Sequence, residues 1–585
     1  MRIGLLTDGG YPYVNGDAML WCDRLVRGLE RHEFDVYALS RSRRQQDEGF
    51  VPLPPQVRRV RTAPLWTAGD EGVAHGRRAR RRFAECYGEL VAAISTAGAG
   101  TVGTAGTVTA GAEGASDAGS RDASDDLADR FGSALYGLAE LARETGGLVG
   151  ALRSETALRA LERACRAPHA LRTAREVRVP DLLAVAAHLE RALRPLSLDW
   201  YGDDGLGADD LCHATAGGPA ALAGLLARHF CDVPLLVTEY GVHLRSHYLT
   251  LGPDTAAPVV RALLGAFHGR LAAEVYRAAA ILTPGNAHAR RWQERCGADR
   301  DRIRTVYPGM AADRFTEVGE APDRADPDTL VWVGRAEPAK DLFSLLHAFA
   351  EVRRQHPGAR LRIIGAPPSD AEDAAYLGHC RTLAAQLFPD EAEGAHAVGD
   401  NPVSFEEIGA PEAPTLPDAY AAGAVVVLSS VVEGFPISLV EAMLCGRATV
   451  STDVGAVVEV IGGTGLVVPP RNPRALAEAC VALLRDPERR ERLGAAARAR
   501  ALELFTVEQN IAAYHGIYLE IVSHCPVRRV VLDESGEPLP FATPAESHVP
   551  GRWTGPTARV LPRSAPAWAT DTPARATLPT TEGVR

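Results

Sequence analysis

Along most of the chain, short β-branched apolar runs alternate with segments whose apolar residues recur at helical spacing. Residues 2–7 read as a strand, after which Ala18, Cys22, Leu25, Val26 and Leu29 repeat every three or four positions, and residues 36–39 read as a second strand. The same alternation returns at 211–215, 235–239, 280–284, 330–334, 361–365, 425–428, 449–452 and 466–468. Runs such as Val425 to Leu428 are apolar at every position, the pattern of a parallel strand covered on both faces. Strands separated by helical segments predict an α/β fold with parallel sheets.

Two stretches break the rhythm. From about 60 to 200 the strand pattern lapses, leaving amphipathic segments near 127–165 and 180–195 that predict helices packed on the first half. Within it, residues 95–126 are mostly Ala, Gly, Thr, Ser and Asp, a composition predicted to stay disordered. The basic run at 77–82 reads as a solvated helix face. Acid- and proline-rich residues 317–328 mark a domain boundary, and the tail from Pro526 to Pro579 holds ten of the chain's 40 prolines. The predicted domains are 1–316 (with the 60–200 insertion), 329–522, and a disordered tail at 523–585.

The 585 residues allow two domains, and a net charge of −11 argues against nucleic acid as a partner. Ten scattered cysteines without C-x-x-C pairs suggest neither a zinc site nor a disulfide framework, and fit a reducing, cytoplasmic setting. No apolar stretch reaches the ~18 residues of a membrane span, which leaves peripheral association with a membrane synthase open.

Candidate chemistry concentrates after the run at 425–428. A loop with Glu433, Gly434, Phe435 and Pro436 leads into a helix from about Ile437 and Ser438 that carries Glu441. Strand, loop and helix start aim backbone N–H groups at a bound anion, while two carboxylates suit neutral sugar hydroxyls. A second cluster follows the strand at 330–334: Arg335 and Lys340 stand at its C-terminal end, with the lysine at a predicted helix start where an anion would offset the dipole. Together these features describe a nucleotide-sugar pocket. No Asp-x-Asp follows the C-terminal end of a predicted strand, so no metal site is predicted, and no cofactor beyond the donor substrate is implied.

The segment Glu433-x7-Glu441 within S-x3-E-G-F-P resembles the signature of retaining glycosyltransferases of family 4, on the GT-B fold. Residues 8–16, D-G-G-Y-P-Y-V-N-G, resemble the opening of PelF-type exopolysaccharide glycosyltransferases, with Asp17 where that family has a second glycine. Asp17 reads as an N-cap for the following helix. The resemblance covers most of 1–60 and 205–520. It implies two Rossmann-like, doubly wound parallel-sheet domains facing a cleft, with Arg335 and Lys340 on the donor diphosphate, Glu433 on the sugar and Glu441 on the ribose. Gly16 and the amides near Gly434 to Ser438 would lie against the donor. Residues 238–241, T-E-Y-G, resemble the family's T-E-H-G, so Tyr240 takes the place of a sugar-binding histidine, for which His213 or His243 could substitute. Residues 452–459 resemble T-D-V-G-x3-E, which adds Glu459 to the donor-binding candidates; a helix-start acid is the structural alternative.

The expected activity is therefore retaining, metal-independent transfer of a hexose from a nucleotide-diphosphate sugar, UDP-glucose by resemblance, to a glycan or small hydroxyl acceptor. Exopolysaccharide or glycoconjugate synthesis is the expected setting. A non-catalytic nucleotide-sugar binder and a sugar-nucleotide epimerase are the alternatives. A glycoside hydrolase, which needs two carboxyl groups about 5–9.5 Å apart across the bond, has no use for a phosphate clamp.

Overall fold

The computed structural model describes residues 1–14, 19–67, 73–96, 117–251, 255–320, 325–368, 370–389 and 401–527. Twelve strands form two six-stranded sheets in these residues. The first contains β1 (Arg2–Asp8), β2 (Glu33–Ser40), β3 (Val57–Pro64), β4 (Leu211–Ala214), β5 (Leu235–Glu239) and β6 (Ile281–Pro284), in the order β3-β2-β1-β4-β5-β6. The second contains β7 (Asp326–Gly334), β8 (Arg360–Gly365), β9 (Val403–Glu407), β10 (Gly423–Leu428), β11 (Ala448–Thr452) and β12 (Leu466–Val468), in the order β12-β11-β10-β7-β8-β9. All ten pairings are parallel. Each sheet reverses direction once, between β1 and β4 and between β7 and β10, and such a switch point opens a crevice beyond the strands' carboxyl ends.

Period-two alternation explains why the strands read as continuously apolar. In the second sheet Leu330, Trp332, Val425 and Val427 face helices carrying Leu345, Phe349, Leu476 and Leu483. Their neighbours Val331, Val333, Val426 and Leu428 face Leu439, Val440, Met443 and Leu444. The first sheet is covered on one face by the inserted helices Arg77–Ser95, Asp117–Thr145, Glu155–Cys165 and Val179–Leu193, whose Phe83, Leu90, Leu135, Leu161 and Leu189 join Leu6 and Val237 in one core. Its other face packs on Cys22, Leu25 and Val26 and on Tyr514, Ile517, Tyr518 and Ile521. Those last four belong to the helix Val507–His524, so the chain crosses back from the second half to complete the first.

Several expectations change. Residues 95–126 are not uniformly irregular: Ser95 ends a helix, 97–116 lie outside the described residues, and a helix runs from Asp117. The buried stripe Leu127, Phe131, Leu135 and Leu138 docks that helix, and its backbone continues to Asp117. The strands β3 and β9 were not expected; both are sheet edges, where one exposed side permits charged residues such as Arg58, Arg59 and Glu407. In the basic run, Arg81 pairs with Glu85, and Arg82 with Glu140 and Glu144. The tail from 528 lies outside the described residues, as do Gly16 and Asp17. Among the described residues no helix is long and apolar enough to cross a membrane.

Below the first sheet, Asp209 is fully buried against Gly4, and neither carboxylate oxygen has a hydrogen-bond partner among the described residues. Burial, then the neighbouring Asp35 charge, pushes its carboxyl from 3.8 up to about 8. The folded chain thus keeps a proton that the unfolded chain releases above pH ~4, so this group's contribution to stability falls as pH rises from ~4 to ~8 and is lost above that. Asp209→Asn removes the titration. Urea midpoints measured at pH 5, 6, 7 and 8 are expected to fall less steeply in the variant than in the parent protein.

Candidate functional site

At the β7/β10 switch point, the two clusters singled out from the sequence meet. Lys340 closes a short 3-10 turn, Pro338–Lys340, and does not start the next helix: Asp341 caps that helix, accepting from the Ser344 N–H at 3.2 Å. The lysine ammonium lies 2.5 Å from Glu433 Oε1 and 4.0 Å from Glu337 Oε1. With side-chain exposures of 19% and 9%, the Lys340–Glu433 pair is screened less than a surface pair.

Two serines fix the pair. The Ser430 hydroxyl, fully buried, donates to Glu433 Oε1 at 2.8 Å, and the Ser429 hydroxyl donates to the Lys340 carbonyl at 2.7 Å. The Val431 N–H reaches the Ala339 carbonyl at 2.9 Å. The loop after β10 is thereby stitched to the turn after β7. Ser429 belongs to the S-x3-E signature; Ser430 escaped attention because a neighbouring serine carries no pattern of its own.

Arg335 stands exposed one residue beyond β7, with no hydrogen bond or ion pair to another side chain among the described residues. Gly434 is exposed with open space where a side chain would lie, and the helix Ile437–Leu444 starts at Pro436 without a side-chain cap. In its first turn the Ile437 N–H donates to the Phe435 carbonyl at 3.0 Å and the Leu439 N–H to the Pro436 carbonyl at 3.1 Å, which leaves the Ser438 N–H as the backbone donor for an anion. Phe435 turns away to pack on Tyr307 and Phe505, at centroid distances of 6.3 and 5.8 Å. Pro436 is buried.

Glu441 lies on that helix and accepts a 2.8 Å hydrogen bond from the Tyr420 hydroxyl. Burial raises its carboxyl above 4.5, opposed by the Tyr420 bond and by the charges of Arg314 and Arg24. Arg24 comes from the helix Met19–Gly28 of the first half, so groups from both halves face this carboxylate. A cavity of about 510 Å³ beside Arg314, lined also by Glu317, Thr415 and Asp418, does not include Lys340 or Glu433 in its walls.

The remaining candidates are placed differently. Tyr240 donates to or accepts from Tyr514 at 3.2 Å and accepts from Asn510 Nδ2 at 2.9 Å, and its ring packs edge-on against Trp21 at 5.0 Å. Its hydroxyl is engaged by the returning C-terminal helix. His213 is fully buried between the Tyr518 and Thr238 hydroxyls, each at 2.7 Å, and burial pulls its pKa down to about 3. His243 donates its backbone N–H to Glu239 at 3.1 Å, and its Nε2 has no hydrogen-bond partner among the described residues. Glu459 accepts from the Ala287 N–H at 2.6 Å and from the Tyr307 hydroxyl at 2.8 Å, so its carboxylate is occupied by protein groups. Among the described residues no group of three His, Cys, Asp or Glu side chains is arranged to hold a metal ion.

Residues 1–301 match a family described as a domain of unknown function, DUF3492. The chain belongs to this family. Residues 327–486 of this DUF3492 protein match the family described as glycosyl transferases group 1. A D-inositol 3-phosphate glycosyltransferase from Frankia alni is 35% identical over 219 residues, 35% of this chain and 50% of that protein. A second, from Kineococcus radiotolerans, is 29% identical over 340 residues, 51% of this chain and 74% of that one. An alpha-D-kanosaminyltransferase from Streptomyces kanamyceticus is 27% identical over 328 residues, 54% and 78% of the two chains. The chain thus spans about half the length of the first of these relatives. The structure of sucrose-phosphate synthase from Thermosynechococcus elongatus aligns with 90% of the DUF3492 chain and all of its own, at a TM-score of 0.50 and 16% identity. The fold is the expected GT-B pair of sheets.

The Glu433–Pro436 loop has little freedom. Gly455 adopts φ +58°, and a Cβ there would lie 2.5 Å from the Glu433 carbonyl oxygen and 2.7 Å from that of Gly434. Gly455→Ala is expected to push the Glu433–Pro436 loop away and to cost about 1–3 kcal/mol. Urea denaturation reads the loss of stability, and faster backbone hydrogen exchange at 433–438 reads the displaced loop.

Proposed function

We propose that this protein is a retaining glycosyltransferase that moves a hexose from a nucleotide-diphosphate sugar to a hydroxyl acceptor. The reading is carried by the Lys340–Glu433 contact at the switch point of the second sheet. A cation and a carboxylate that already touch would separate to grip different parts of one ligand: Lys340 with Arg335 the diphosphate, Glu433 the sugar hydroxyls. The uncapped start of the helix Ile437–Leu444 supports the same anion, and Glu441 faces the ribose. These charges would stabilise the departing diphosphate. We take the attack to be front-face, with the leaving phosphate accepting the acceptor's proton, and the diphosphate to be held by side chains and amides without a metal.

The PelF-type resemblance of the N-terminal loop supports UDP-glucose as donor and a glycan acceptor in exopolysaccharide synthesis, in the cytoplasm or at a membrane synthase. The names of the relatives support a hydroxyl-rich acceptor such as an inositol phosphate. A second reading, a donor-binding protein without turnover, draws on the Tyr240 hydroxyl being held by Asn510 and Tyr514. It would show saturable donor binding and no product.

The test follows release of nucleoside diphosphate from a panel of UDP-, GDP- and ADP-sugars, with glucan oligosaccharides and inositol phosphates as acceptors. Lys340→Ala and Glu433→Ala are each expected to lower turnover at least ~100-fold. Variants that keep parental rates would remove the proposed site.

A further inference from the structure

Glu459 is engaged at both oxygens by groups that precede the linker. Ala287 is the first residue of the helix Ala287–Arg295, and its N–H has no partner within that helix. A carboxylate at that position satisfies the donor and sits at the positive end of the helix dipole. The second oxygen takes the Tyr307 hydroxyl, whose pKa is pushed up to about 12, by burial first and then by the Glu459 bond.

The other end of the same short segment touches the donor loop. Glu459 belongs to the helix Val457–Ile461, which follows the Gly455–Ala456 turn. The Ala456 N–H donates to the Gly434 carbonyl at 3.1 Å, and Gly455 lies against the Glu433 carbonyl. Arg500 holds the segment from behind, bonding the carbonyls of Glu459 and Val460 at 2.8 and 2.9 Å. Tyr307 closes the circuit: its ring packs on Phe435 of the donor loop, and its carbonyl accepts from Asn510 Nδ2 at 2.6 Å. That same amide nitrogen reaches Tyr240. One turn of chain therefore contacts the E-G-F-P loop at one end and the first half at the other.

We propose that Glu459 is a positioning residue: its hold on the Ala287 N–H and the Tyr307 hydroxyl sets the Glu433–Pro436 loop in donor-binding geometry when the two halves are docked. The inference rests on the reading of Lys340 and Glu433 as the donor site, and it gives Glu459 no contact with the donor. Glu459→Gln keeps one acceptor oxygen for Ala287 and gains an amide that can donate to the Tyr307 oxygen. Glu459→Ala loses both bonds. Tyr307→Phe loses one bond and keeps the ring on Phe435, which serves where Glu459→Ala fails to fold.

The experiment measures backbone hydrogen exchange at 287–290 and 433–438 in the full-length protein and these variants, together with steady-state kinetics using UDP-glucose as the probe donor. Glu459→Ala and Tyr307→Phe are expected to speed exchange in both segments and to raise the donor KM about tenfold, with kcat held within about threefold. Glu459→Gln is expected to stay within about threefold of the parent in both constants. Faster exchange at 287–290 with 433–438 unchanged would reduce Glu459 to a local tie and overturn the proposal. So would a Glu459→Gln variant as impaired as Glu459→Ala beside a neutral Tyr307→Phe, because that pattern marks direct donor contact. Where the parent protein shows no turnover, the transferase reading fails on its own, and the paired exchange response still decides the positioning role.

Discussion

Parallel strands send all their carboxyl ends to one edge, and a sheet that reverses its winding leaves those ends uncovered at one place only. Both sheets here are wound in the same order, so each has its gap beside its first strand, at β1/β4 and at β7/β10. The chain spends its unusual residues at the second gap. Arg335 leaves β7, Glu433 leaves β10, and the β10–β7 pairing makes those exits neighbours although 98 positions separate them along the chain. The serines after β10 then convert proximity into contact, one gripping the Lys340 carbonyl and the other the Glu433 carboxylate.

The resulting ion pair has a consequence for binding. A lysine held by a glutamate in a half-buried crevice carries no net charge outward, so in the proposed function Arg335, exposed beyond β7, is the cation an incoming diphosphate would meet first. Engaging Lys340 then requires its carboxylate partner to find other donors, and sugar hydroxyls are suitable ones. A nucleoside diphosphate without its sugar would leave Glu433 with only the Ser430 hydroxyl. In the proposed function the pair therefore favours the complete donor over the spent one, an arrangement that helps product leave.

What the sequence made legible follows from burial. Strands covered on both faces, such as β1, β7 and β10, announce themselves as unbroken apolar runs, and the E-G-F-P loop stands out because its glycine and proline interrupt one. Edge strands do not: β3 carries Arg58, Arg59 and Arg61 on backbone that is paired on one side only, and its periodicity is lost among them. The partners of Glu459 were hidden for a different reason. Ala287 contributes a backbone N–H, which any residue has, and Tyr307 lies 152 positions away, so no spacing rule joins them. Lys340 follows β7 as expected, but in a 3-10 turn and not at a helix start, because the αL cap at Asp341 puts the first helical residue at Leu342, two positions past the lysine.

The returning helix Val507–His524 explains the tyrosine in T-E-Y-G. It brings Tyr514, Tyr518 and Asn510 under the carboxyl ends of β4 and β5, where they bond His213, Thr238 and Tyr240. A chain of hydroxyls satisfies His213, Thr238 and Tyr240, with His213 neutral and Tyr240 protonated: burial moves the histidine down to about 3 and the tyrosine well above 10. Neither changes charge between pH 5 and 8, the range in which an unperturbed histidine would titrate. The first half therefore holds internally paired, fixed hydrogen-bonding groups where the T-E-H-G pattern would place an imidazole. Its packing partner is the helix whose Asn510 also holds the Tyr307 carbonyl. The residue that departs from the pattern is thus bound into the same network that contacts the Glu433–Pro436 loop, which makes Tyr240 part of how the two halves dock.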